Sequence, residues 1–262
     1  MRQNHSMTRL TLALTTAACL TFFAMGSAQA QFSSTRGEVE RASRLQWLHM
    51  KREMPRPGDP RIQPFVECIS NSIIATLEEP YASMDWEIIV FDDDATNAFA
   101  MPGGKIGVFT GIFKVADTPD ALATVIGHEI AHLTQDHVME RARKNLGTDL
   151  LSGLLSSMTY GYGRNEINEG TAIFVGLPFD RRQESEADVV GLAYMADAGY
   201  DPRSSLRLWR NMSQLSEGSE TPEFLSTHPS DDRRMADLAR SLTPSLIAYN
   251  EAVEAGLRRT CL

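Results

Sequence analysis

His128-Glu129-Ile130-Ala131-His132 constrains this chain more than any other stretch, because the chemistry it suggests works from one local structure only. Histidines four apart lie on one face of an α-helix, about 5–6 Å apart at Cβ. From there two imidazole nitrogens reach a single Zn²⁺ at roughly 2.0–2.1 Å each. Glu129 follows the first histidine directly, so it sits beside the metal without being forced to bind it. In that place it can take a proton from water whose pKa the metal lowers towards about 7. The flanking residues predict the helix. Asp117-Thr118-Pro119 offers an N-cap followed by proline at the first helical position. Leu122, Val125, Ile126, Ile130 and Leu133 then recur at three- and four-residue spacing, an apolar flank that predicts a largely buried helix. Gly127 leaves room next to the first histidine and weakens the helix by up to about 1 kcal/mol relative to alanine.

A zinc site needs a further protein ligand, and the segment Arg181 to Asp188 offers it. It opens a helix predicted to run to about Asp197, with Gly199 as its stop. Glu184 and Asp188 share a face, whereas Glu186 points roughly 200° away from Glu184. One carboxylate of the pair can ligate the metal while the other holds an imidazole through its second N–H. The competing reading is a solvated acidic helix start stabilised by the helix dipole. Two other histidines are set aside. Nine residues after His128, helical rotation carries His137 away from the ligand face, giving it a surface or structural role. His49 lies on the surface of an earlier helix.

Elsewhere, caps and periodicity divide the chain. A helix is predicted from Glu38 to about Met54, and a second is capped by Asp59 with Pro60 at its first position, burying Ile62, Phe65, Val66, Ile69, Ile73 and Leu77. Trp86–Phe91, Asn97–Met101 and Lys105–Phe109 read as short strands of a small antiparallel sheet, the last two joined by Pro102-Gly103-Gly104. Asn97–Met101 or Lys105–Thr110 is the edge expected to receive substrate as an added strand. Residues 144–180 suggest an amphipathic helix and loop over the cleft, with a membrane-contacting or dimer surface as the other reading. Asp201-Pro202 starts another helix, Ser230-Asp231-Asp232 caps the next, and Pro244 is expected to separate a final one.

Asn97 to Gly104, His128 to His132, Glu184 with Asp188, and Thr227-His228-Pro229 occur in an order that resembles the HtpX-like, CAAX-prenyl-protease family of gluzincin metallopeptidases, and within it the soluble periplasmic BepA-like branch. The resemblance covers about Asp59 to Arg240. It implies His128, His132 and Glu184 as ligands of one Zn²⁺ per chain, Glu129 as general base and Asp188 as the carboxylate behind an imidazole. It places His228 near the metal, on the oxyanion or capping the resting zinc. Asp180-Arg181 stands where the family often has serine-arginine, and no tetratricopeptide extension follows residue 240.

Arg2 and Arg9 ahead of the apolar run Leu10–Met25, then Ala28-Gln29-Ala30, read as a secretory signal peptide over residues 1–30. An uncleaved anchor is the alternative. Without those residues the chain carries 23 basic against 34 acidic side chains, net −11, which argues against nucleic acid or an anionic membrane surface as partner. Residues 31–262 are long enough for a single domain: an N-terminal helix and linker over 36–58, the family-resembling core over 59–240, and a C-terminal helix and tail over 241–262. Cys68 and Cys261 share an oxidising compartment, as a disulfide or as two thiols. The expected fold class is α+β: a mainly helical zincin-type domain with a small antiparallel sheet beside the His-Glu-x-x-His helix. The expected function is a periplasmic zinc metalloendopeptidase acting on misfolded or misassembled envelope polypeptides, with outer-membrane assembly machinery a candidate partner. A chaperone-like protein that keeps zinc for structure is the second reading, and an integral-membrane protease the third, disfavoured because no second apolar window of eighteen residues occurs.

Overall fold

Three short strands, each apolar on both faces, set the architecture. The computed structural model describes residues 36–145, 178–218, 222–229, 232–257 and 260–261; described elements are labelled here in chain order. Strands β1 (Glu87–Phe91), β2 (Ala98–Met101) and β3 (Lys105–Phe109) form a sheet in the order β1-β3-β2. Successive side chains of a strand point to opposite faces. Ile89, Phe91, Phe99, Met101 and Phe109 therefore meet the first helix, α1 (residues 36–53), through its Val39, Ala42, Trp47 and Met50. Ile88, Val90, Ala98, Ile106 and Val108 turn the other way, into the main core.

The sheet is mixed where an antiparallel one was expected. β2 and β3 are antiparallel, Ala98 opposite Val108 and Met101 opposite Lys105, but β1 runs parallel to β3 with Glu87 opposite Lys105. β1 is joined to the hairpin by residues 92–97, which cross the end of the sheet and return on the far side of β3, so β1 and β3 point the same way. β3 is thus central and β2 an edge, which removes Lys105–Thr110 as a free edge.

The main core lies between the sheet and the helices. α2 (Ile62–Ile74) covers the inner sheet face with Val66, Ile69 and Ile73. α3 (Pro119–Thr134) runs behind it, buried without interruption from Ala121 to His132. α4 (His137–Asn145) follows after a turn. α5 (Arg181–Asp197) lies along both α3 and the long C-terminal helix α8 (Asp232–Glu254), with α6 (Ser204–Gly218) and the short α7 (Glu223–Thr227) between them. Among the described residues no helix is long and apolar enough to cross a membrane.

Three boundaries differ from expectation for local reasons. α2 starts at Ile62, not Pro60: the Asp59 carboxylate accepts from the Arg61 backbone N–H and guanidinium, closing a turn ahead of the helix. α6 starts at Ser204, not at Asp201-Pro202, after a turn whose Asp201 accepts from the Arg203 N–H. Pro244 does not divide the C-terminal helix. α8 passes through it because Pro244 is solvent-exposed, so the lost N–H leaves a carbonyl that water can satisfy. A disulfide joins Cys68 on α2 to Cys261 in the C-terminal tail. Residues 1–30, Ser230 and most of the predicted cleft-covering stretch, 146–177, lie outside the described residues.

Candidate metal centre

α3 begins as its sequence dictates. Thr118 accepts from the Ala121 N–H at 3.2 Å and Pro119 occupies the first turn. α5 begins with a capping box, in which Asp180 accepts from the Gln183 N–H at 2.9 Å while the Gln183 side chain receives the Asp180 N–H. Asp180, the departure from the family's serine, thus does the capping itself. Both helices carry a glycine at their crossing. A Cβ on Gly127 would lie 2.6 Å from the Gly191 carbonyl oxygen, and one on Gly191 would lie 2.7 Å from the Gly127 carbonyl carbon. Only glycine at both points lets the backbones approach this closely, and that approach brings α5's carboxylates against α3's histidines.

His128, His132, Glu184 and His228, all buried, each offer one ligand atom within 4.8 Å of the others. The donor separations are 3.0 Å between the two Nε2 atoms of α3 and 3.2 Å from His128 Nε2 to His228 Nδ1. Glu184 Oε1 is 3.4 Å from His132 Nε2 and 3.1 Å from His228 Nδ1. A tetrahedral zinc with ligands at about 2.0–2.1 Å has edges of about 3.3 Å. The donor set fits. Moreover, a neutral imidazole carries one proton, so the contacts crowding His128 Nε2 cannot all be hydrogen bonds. A cation at their centre satisfies them together.

The outward nitrogens are held. His128 Nδ1 lies 3.0 Å from Asp188 Oδ1. Arg234 grips Asp188 with both ends of its fork, at 2.7 and 2.8 Å, and places Nη1 2.7 Å from Glu184 Oε2. The same nitrogen donates to the carbonyl oxygens of His228 and Pro229. One buried guanidinium therefore ties the ligand carboxylate, the carboxylate behind His128 and the His228 turn. His228 caps α7, stacked on Phe224 at 4.3 Å between centroids, and its Nε2 is 3.4 Å from Glu129 Oε1. Phe179 stacks on His132 at 3.7 Å, with the Arg141 guanidinium 3.8 Å above its other side.

Electrostatics follow from burial and pairing. Burial pushes the Glu129 carboxyl up, opposed by His228 and His128, and the net direction is up. Burial pushes Glu184 up as well, but His228 and the hydrogen bonds from His128 and His132 hold it well below the usual range. For Asp188, Arg234 outweighs burial and the carboxyl is lowered. Burial lowers His128, yet the hydrogen bonds to Asp188 and Glu184 dominate and raise it to about 9. Burial drives its neighbour His132 well down. The buried Arg141 is lowered to about 10.

Every residue expected at the site is here: His128, Glu129, His132, Glu184, Asp188 and His228. His137 lies outside the donor set, as expected, but in a buried structural role and for a different reason from the helical rotation argued from the sequence. α3 ends at Thr134 and Asp136 adopts φ +60°, so the rotation that put His137 away from the metal does not extend to it. It is buried, with Nδ1 3.1 Å from His132 Nδ1. His49 stays on the helix surface, as expected. Arg234 was missed altogether. Its signal was indirect: two buried carboxylates on one face need a cation. Asn97, fully buried just ahead of β2, has no hydrogen-bond partner among the described residues for either side-chain amide atom.

Residues 60–242 match the sequence profile of peptidase family M48. The mitochondrial metalloendopeptidase OMA1 of Arabidopsis thaliana is 38% identical over 175 residues, covering 66% of this chain and 35% of that protein. Its Saccharomyces cerevisiae namesake is 30% identical over 220 residues, 79% of this chain and 63% of that protein. The beta-barrel assembly-enhancing protease of Escherichia coli O157:H7 is 26% identical over 222 residues, 79% of this chain and 45% of that protein. The chain thus spans about a third to two thirds of the length of these relatives. The beta-barrel assembly-enhancing protease is thus among the relatives but is not singled out, since the mitochondrial proteins match at higher identity.

Proposed function

The chain belongs to peptidase family M48, and from that premise we propose that it is an exported zinc metalloendopeptidase of the bacterial periplasm that cuts misfolded or misassembled envelope polypeptides. One observation carries the reading: four buried donors that converge within 4.8 Å of one another, with the Glu129 carboxylate beside them and outside the donor set. His128, His132 and Glu184 are the proposed ligands, with His228 at the fourth position of the resting centre. Zinc held there supplies a Lewis acid that polarises the scissile carbonyl and lowers the pKa of water. Glu129 accepts the proton of the attacking water and returns it to the leaving nitrogen, a task suited to a carboxyl whose pKa burial has raised. Asp188 keeps His128 in the tautomer that turns Nε2 inward, and Arg234 holds Asp188 in place. His228, once withdrawn from the donor set, faces Glu129 and can donate to the developing oxyanion. The Cys68–Cys261 disulfide supports an oxidising compartment. The name of the beta-barrel assembly-enhancing protease supports outer-membrane assembly as the context.

Glu129→Gln tests the mechanism. It is expected to keep zinc and thermal stability while losing casein hydrolysis, and expressed in the envelope it should retain uncleaved client polypeptides identifiable by mass spectrometry. Hydrolysis by a zinc-loaded Glu129→Gln protein sinks the mechanism; capture of no envelope polypeptide sinks the substrate class. His228 in the donor set also favours a second reading, a chaperone-like protein with a closed four-ligand zinc. That reading requires the zinc-loaded wild type to suppress client aggregation without cutting.

A further inference from the structure

We propose that His137 and Glu186 form a positioning relay for His132. The inference rests on reading His132 as a zinc ligand and extends that reading to two residues outside the donor set. An imidazole that turns its Nε2 lone pair towards a cation keeps its proton on Nδ1, so His132 Nδ1 is a donor. The atom it faces is His137 Nδ1, at 3.1 Å, with the two rings inclined at 68°. His137 can accept only if its own proton sits on Nε2, and that nitrogen lies 3.4 Å from Glu186 Oε2. Glu186 is in turn held by Arg182, one turn earlier on α5, at 3.8 Å. Each ring has one proton, and one arrangement of the two satisfies both contacts: His132 donates to His137, and His137 donates to Glu186.

The two α3 histidines are therefore held differently. His128 has a buried carboxylate directly behind it, neutralised by Arg234. His132 has a buried neutral ring behind it, and the carboxylate that orients that ring is two-fifths exposed. The relay also ties α4 to α5, since His137 opens one helix and Glu186 lies in the first two turns of the other. Glu186, which helical geometry points away from Glu184, acts on the metal from outside through two rings.

The full chain tests this by chelator competition for zinc. His132→Ala is the control for the underlying reading: wild-type zinc affinity in that variant overturns the ligand assignment, and the relay with it. With zinc lost in the control, His137→Phe is the decisive variant, because it keeps an aromatic ring but has no nitrogen to accept. Zinc affinity is expected to fall about 10–100-fold. His137→Gln, whose side-chain carbonyl can accept the His132 proton, is expected to recover most of it, and Glu186→Gln to lose less than His137→Phe. Full affinity in His137→Phe, or equal losses in the Phe and Gln variants, overturns the relay while leaving the ligand assignment standing. If His137→Phe does not fold, ring ¹⁵N shifts of the zinc-loaded wild type decide. His137 protonated on Nε2 with His132 protonated on Nδ1 supports the relay; His137 protonated on Nδ1 overturns it.

Discussion

Gly127→Ala isolates what the close crossing of α3 and α5 contributes. The new methyl would lie 2.6 Å from the Gly191 carbonyl oxygen, where ordinary contact begins at 3.4 Å and real Cβ atoms essentially never come under 3.0 Å. Both partners are helix backbone, so no side chain can swing aside. The helices must part by about 0.4–0.8 Å, the difference between those distances. Overpacking of this kind costs about 1–3 kcal/mol. Alanine in place of glycine in a helix interior returns about 1 kcal/mol. The net is a loss of about 0–2 kcal/mol, so melting temperature alone is a blunt measure. The metal is the sharp one. A shift of that size takes the 3.0 Å His128–Asp188 contact to about 3.4–3.8 Å, at or past the limit of a hydrogen bond, and moves Glu184 by more than the ±0.2 Å that metal sites tolerate. Zinc affinity, measured against a chelator, is expected to fall by about 10–100-fold. Gly37→Ala serves as control, since a Cβ there meets nothing within 4 Å. It should stabilise by up to about 1 kcal/mol and leave zinc alone. A Gly127→Ala protein that melts higher than wild type and binds zinc as tightly would refute the crossing argument.

Three further outcomes are expected. Arg234→Met leaves Asp188 and Glu184 without their shared cation, so the metal-free protein should lose about 3–5 kcal/mol in denaturant unfolding; zinc should restore part of that, and an unaffected metal-free midpoint would contradict the pairing. In the β2–β3 ladder Phe109 N–H donates to Asn97, so alternate residues Ala98 and Ala100 turn their backbone groups to the free edge. Ala100→Pro should then raise KM or abolish turnover of several peptides with zinc still bound, and unchanged kinetics would rule this edge out. His128, raised from 6.5 to about 9 in the metal-free protein, favours its protonated form there. Its contribution to metal-free stability is therefore full below about pH 6.5 and lost as pH rises through 9, whereas zinc must displace that proton and should bind more tightly as pH climbs over the same window. Zinc affinity that is flat from pH 6 to 9 contradicts this.

The sequence made α3 and α5 readable because their signals are local. Thr118-Pro119 caps one, Asp180 with Gln183 boxes the other, and Gly199 ends the second at φ +80°. The four-residue spacings within each helix then put His128 with His132 and Glu184 with Asp188. What stayed hidden depends on where chain segments turn. A one-residue left-handed turn at Asp136 brings His137 behind His132, where continued helical rotation would not have carried it. The parallel pairing of β1 with β3 was hidden for a related reason. β1 pairs with the second strand of the hairpin and not the first, and a strand's own residues do not say which neighbour it pairs with. Arg234 could not be assigned because its carboxylate partners lie 46 residues and more away on another helix. Pro244 misled because a proline breaks a helix only where its missing N–H has no substitute, and on an exposed face water supplies one.

The order of residues along the chain has a consequence in time. His128 and His228, whose ring nitrogens meet in the centre, are 100 residues apart, and Arg234 follows later still. At a synthesis rate of about 5–20 residues per second, the helix bearing Glu129 emerges about 5–20 s before the segment that completes its surroundings. Through that interval the chain carries the histidine pair and Glu129 but neither the His228 turn nor the guanidinium that anchors both carboxylates. The four-donor arrangement and its buried guanidinium are therefore complete only once residues up to Arg234 have been made.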